Sequence, residues 1–136
     1  MDLSPQSLTL HEAGRVERIL ARRLGLSRRV TSTWLRQGRV VGPQGRLHKG
    51  DRLTANSAIE LRLAGQLGQW VPPAEPALPL LAAGDGWLAL DKPAGMPSHL
   101  AMPFEQGCAL NHLMSHDAGV ADCGDDPLQG GLVHRL

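Results

Sequence analysis

The sequence contains no tyrosine, one phenylalanine and three tryptophans among 136 residues, so aromatic bulk contributes little to any core. Leu, Val, Ile and Ala must supply it instead. Two cysteines, Cys108 and Cys123, are too few for a disulfide framework, and the N-terminus lacks the apolar h-region of a signal peptide. No apolar run approaches the roughly 20 residues needed to cross a bilayer. These absences lead us to expect a soluble protein of a reducing cytoplasm, with no membrane partner.

What the chain does have is arginine, and it is unevenly placed. Residues 15–62 hold twelve Arg or Lys against three acids, Glu17, Asp51 and Glu60. From Leu63 onward the balance reverses to Lys92 and Arg135 against eight acids, so the formal net charge of +1 conceals a basic front and an acidic rear. A surplus of one sign concentrated in one region implies an anionic partner. Length permits one domain, or two small ones if a linker intervenes. Pro72, Pro73, Pro76 and Pro79 fall within an aperiodic stretch that reads as such a semi-rigid linker over 64–79.

Residues 1–9 are polar and unpatterned, and are expected to be a flexible lead-in. From Arg15 onward Val16, Ile19, Leu20 and Leu24 recur at helical spacing, and Gly25 ends the helix. Ser27 is a good N-cap for a second helix whose buried face is Val30, Trp34 and Leu35, with Gly38 as its stop. Arg39-Val40-Val41, the turn Gly42-Pro43-Gln44-Gly45 and Arg46-Leu47 predict a tight hairpin, and His48–Asp51 a further turn. Ile59–Leu63 alternates apolar and charged residues, as a half-buried strand does. Beyond the linker, Leu80–Ala83 and Trp87–Leu90 flank Gly84-Asp85-Gly86, which predicts a second hairpin followed by a turn over Asp91–Pro97.

The order Leu26-Ser27-Arg28, Gly38-Arg39-Val40, Lys49-Gly50-Asp51-Arg52-Leu53 resembles the S4 RNA-binding domain, over residues 10–63. Lys92-Pro93-Ala94-Gly95-Met96-Pro97 with Ser98-His99, and the closing Gly130-Gly131-Leu132-Val133-His134-Arg135-Leu136, resemble the RluA-type pseudouridine synthases, whose catalytic motif reads His-Arg-Leu-Asp. Here Leu132-Val133 would be the short strand leading into His134, Arg135 and Leu136, and the nucleophilic Asp would be residue 137. The resemblance implies an α+β fold: a small S4-like α/β domain, then residues 80–136 as the truncated start of a mixed, mainly antiparallel catalytic domain. It implies a cofactor-free isomerisation of uridine in structured, ribosomal RNA, with the 136-residue chain alone inactive, and a non-catalytic S4-type RNA-binding protein as the alternative.

Arginine suits such a partner because its guanidinium binds phosphate bidentately and displaces counterions. The expected RNA-binding residues are Arg15, Arg18, Ser27, Arg28, Arg29, Arg36 and Arg39, with Ser27 equally suited to be only a helix cap. With few aromatics to stack on bases, recognition should follow RNA shape and backbone. The resemblance makes Lys92 cleft-lining, and His134 and Arg135 neighbours of the missing nucleophile. A separate constellation, Cys108, His112 and His116 spaced by four with Cys123 following, has zinc-type ligands. A short helix burying Leu110, Leu113 and Met114 accounts for the same stretch, and no metal is expected. Asp122, Asp125 and Asp126 read as a solvated acidic loop.

Overall fold

A computed structural model describes residues 3–133. The chain is a mixed α+β protein that divides into two compact units, Met1–Gly68 and Gln69–Leu136. Among the described residues no helix is long and apolar enough to cross a membrane.

The first unit begins with strand β1 (Pro5–Leu10), which pairs antiparallel with β6 (Ser57–Arg62) from Pro5↔Arg62 to Leu10↔Ser57. This corrects the expected flexible lead-in at 1–9. Pro5 opens the strand at the sheet's edge, where its missing N–H costs no ladder bond. Gln6 fixes the other end of the unit, its amide donating to Gly65 O and its Oε1 accepting from Leu67 N. Next come β2 (Gly14–Arg15) and helix α1 (Val16–Leu24), closed by Gly25 at φ +66. Helix α2 (Arg28–Arg36) follows, with Ser27 Oγ accepting from Val30 N. β3 (Val40–Gly42) and β4 (Gly45–Arg46) form the expected hairpin, and Gly42 faces Gly45 across Pro43-Gln44. A short β5 (Arg52–Leu53) pairs back to β2.

The sheet order is β1-β6-β3-β4. Ile59, Leu61 and Leu63, at period two, point inward with Val40 and Leu10. They meet Val16, Leu20, Val30, Trp34 and Leu35 from the two helices, all buried to within a few per cent. Each such side chain contributes about 1.5–3 kcal/mol by leaving water. Thr31, fully buried, satisfies its hydroxyl by donating to Glu17 O, which fastens α2 to α1.

In the second unit β7 (Leu80–Gly84) and β8 (Trp87–Leu90) form the expected hairpin. A Cβ at Gly84 would collide with the Trp87 indole, so a side chain there would require that exposed ring to shift. Helix α3 (Ala109–His116) is followed by a 3-10 turn, Ala118–Asp122. The linker expected over 64–79 is shorter than its composition suggests, because the units divide after Gly68 and the backbone of Pro72, Ala74 and Leu78 is bonded to α3. Buried Asn111 donates to Pro72 O and Glu105 O while its Oδ1 accepts from Cys108 N, so a costly buried amide is satisfied. His112 Nδ1 accepts from Leu78 N, His116 donates to Leu78 O, and Ser115 donates to Ala74 O. Trp70 is buried and its ring lies 5.7 Å from that of Phe104. Leu132 and Val133 lie in no strand, and Val133 is exposed.

Candidate nucleic-acid interface

The periodicity that buries Val16, Ile19 and Leu20 on α1 turns Arg18 outward from its first turn, and Arg15, the extended N-cap residue that ends β2, is exposed as well. On α2 the same rule exposes Arg28, Arg29 and Arg36, with half-buried Ser32 between them at helical spacing. These two faces adjoin. Together with Lys49, delivered by the turn between β4 and β5, they line an open groove of about 510 Å³ whose remaining wall is Glu17.

Electrostatically the groove is cationic and largely uncompensated. Among the described residues the ion pairs are Arg22 with Glu12, Arg62 with Glu60 and His48 with Asp51, none of which uses a groove cation. Arg36 is oriented instead by a neutral contact, its Nη2 donating to Thr33 Oγ1 at 2.9 Å. Arg46 donates to Arg36 O at 2.7 Å, placing a cation at the negative end of α2. Such an array can bind closely spaced anionic oxygens.

Five of the seven residues expected from sequence, Arg15, Arg18, Arg28, Arg29 and Arg36, come together here. Ser27 and Arg39 are not among the groove's lining residues. Ser27 caps α2, and the backbone of half-buried Arg39 bonds Trp34 O and Arg62 N at the helix exit. Ser27→Ala should lower the stability of this unit by about 1 kcal/mol, the usual cost of an N-cap hydroxyl. Thermal unfolding should show a fall in Tm of about 4–8 °C for a unit of this size.

Lys49, Ser32 and Glu17 were missed. The Lys49-Gly50-Asp51 signature was the available signal for Lys49, but a turn lysine in isolation reads as a solvated charge. Ser32 needed only the helical spacing from Arg28 and Arg36. Nothing in the sequence marks Glu17 as different from any other first-turn acid.

Lys92 is half-buried and donates to Met96 O at 2.8 Å, closing the loop Lys92–Met96 upon itself. His134, Arg135 and Leu136 lie outside the described residues. The side chains considered as zinc ligands have backbone partners. Cys108 caps α3, His112 and His116 clasp Leu78, and Cys123 Sγ contacts Gly119 O. Burial pushes the Cys108 thiol up, so it is a poor source of thiolate. Among the described residues no group of three or more His, Cys, Asp or Glu is placed to hold a metal ion.

No protein-family model matches the chain. It is 30% identical over 116 residues to ribosomal large subunit pseudouridine synthase D of Pseudomonas aeruginosa, covering 81% of this chain and 33% of that protein. Uncharacterized RNA pseudouridine synthases of Mycobacterium bovis and Mycobacterium tuberculosis are each 31% identical over 124 residues, covering 90% of this chain and 40% of theirs. The chain thus spans 33% to 40% of the length of these curated relatives.

Proposed function

We propose, from a chain similar to the N-terminal part of RNA pseudouridine synthases, that Met1–Gly68 is an S4-type RNA-binding domain serving a uridine-isomerising enzyme. The observation that carries this reading is the arginine groove on α1 and α2. Its guanidinium groups take phosphate oxygens in pairs and release condensed counterions. Trp34, the unit's sole aromatic residue, is buried in the core, so bases find no stacking platform on it. The groove therefore suits the backbone and shape of structured RNA. Ribosomal RNA is the favoured class, by analogy with the Pseudomonas relative's name, and the cytoplasm the corresponding place. Ser27 and Arg39 flank the main contacts.

Gln69–Leu136 would open the catalytic domain, with Lys92 bordering its cleft and His134, Arg135 and Leu136 beside the nucleophile. The isomerisation needs a carboxylate to attack uridine and split one difficult bond exchange into two steps. The resemblance puts that Asp immediately after Leu136. A polypeptide of residues 1–136 should accordingly bind RNA and modify none.

The test combines two readouts on one sample, a purified 1–136 polypeptide with a structured ribosomal RNA fragment. If about six cations engage phosphates, affinity should fall roughly 10³-fold between 50 and 200 mM salt. No pseudouridine should form. Binding that ignores salt would refute the groove assignment, and turnover above background would refute the placement of the nucleophile. The non-catalytic RNA-binding reading gains support from the groove lying wholly within the first unit.

A further inference from the structure

Glu17 is the sole acid lining a groove otherwise built from five arginines, a lysine and a serine. It is also 6% exposed, although a buried carboxylate is costly unless its oxygens are bonded. A simple role would be to dilute the repulsion among its cationic neighbours. The geometry gives it a more specific one. Glu17 Oε2 accepts from Gly50 N at 3.1 Å, across 33 residues of sequence.

Gly50 sits at φ +96 in the turn His48–Asp51, a conformation that side chains other than glycine's rarely adopt. The same turn is fixed at two further points: Asp51 O accepts from Val16 N at 2.9 Å, and Asp51 Oδ2 accepts from His48 N at 2.7 Å. The first turn of α1 therefore grips this loop by one backbone bond and one side-chain bond. Lys49 is the exposed residue immediately before Gly50, and it reaches the groove.

We propose that Glu17 is a positioning residue of the RNA interface, holding the Gly50 amide so that the Lys49 ammonium stands with the arginines of α1 and α2. This rests on the RNA-binding reading above and adds to it a residue that positions Lys49 through the Gly50 amide. It also opposes the expectation from charge alone. Removing Glu17 makes the groove more positive by one, yet positioning requires that binding weaken.

The experiment measures affinity of the full chain for a fluorescein-labelled RNA stem-loop across a salt series. It compares wild type, Glu17→Ala, Lys49→Ala, the double variant and Glu17→Gln. One phosphate contact is worth roughly fivefold near physiological salt, so both single alanine variants should lose about that factor, and each salt slope should shrink by about one contact. The double variant should bind like Lys49→Ala, because residues acting through one contact are non-additive. Glu17→Gln keeps an acceptor for Gly50 and should recover most of the loss.

Binding by Glu17→Ala as tight as wild type, or a double variant losing the product of the two factors, would overturn the proposal. Should Glu17→Ala fail to fold, the near-isosteric Glu17→Gln decides: a folded Gln variant with the full Lys49→Ala loss also overturns it. Wild type failing to bind the stem-loop would instead remove the RNA reading itself, and with it this role for Glu17.

Discussion

Replacing Arg18, Arg28 and Arg29 together by alanine should lower RNA affinity by about two orders of magnitude at physiological salt and reduce the salt slope by roughly 2–3. Both figures follow from counterion release, in which each phosphate neutralised contributes a factor of about the inverse salt concentration to the power 0.7–0.9. At 0.15 M that is roughly fivefold per contact, and three contacts multiply. The slope is the more diagnostic quantity because it counts phosphates regardless of which RNA is used. These three side chains are exposed, and none takes part in an ion pair among the described residues, so the unit should unfold at nearly the wild-type temperature. Arg62→Ala is the matched control. That arginine is already paired with Glu60, its Nε 2.9 Å from the carboxylate, and it lies outside the groove. Its loss should change affinity by less than about twofold, since an exposed pair contributes little. A triple variant binding like wild type would show that RNA, if bound, is held elsewhere.

The arginine face was readable in advance because it is the complement of a local pattern. Once Val16, Ile19 and Leu20 define the buried stripe of α1, and Val30, Trp34 and Leu35 that of α2, the outward residues follow without any tertiary information. The Ser27 cap, the Gly25 stop and the Pro43-Gln44 hairpin were equally local. Strand β1 was not, because Gln6, Leu8 and Leu10 show only two apolar residues in alternation. Its identity depends on pairing with β6, some fifty residues later.

The proline-rich stretch failed for a related reason. Pro72 to Pro79 have no period and resemble a linker in composition, yet Asn111, His112, Ser115 and His116 hold that backbone from consecutive turns of α3. His112 and His116 are also two of the candidate zinc ligands: spacing by four places them on one face with Cys108, and in the fold both histidines are taken by the backbone of Leu78. Spacing fixes which side chains share a surface; it does not say what lies against them. Glu17 belongs with these cases. Its place in the first turn of α1 was readable, but its bond to Gly50 required the fold.

Trp34→Ala should abolish RNA binding at 37 °C although it removes none of the groove's cations from the sequence. Trp34 is 1% exposed and is the largest fully buried side chain. Truncating a buried Trp costs about 3–5 kcal/mol in lost transfer energy and cavity formation. A unit the size of Met1–Gly68 has roughly 3–10 kcal/mol to lose, and small domains sit toward the lower end. The indole packs on the inner side of α2, whose outer side carries Arg28, Arg29 and Arg36. Without it the helix has no fixed seat, and the arginines cannot remain aligned with those of α1. Urea unfolding followed by circular dichroism should show the loss, and Trp34→Phe should restore part of both stability and affinity. If Trp34→Ala instead bound RNA with wild-type affinity and an unchanged salt slope, the cations would be sufficient as an unstructured basic segment. Positioning by the fold, including that assigned to Glu17, would then be unnecessary for binding.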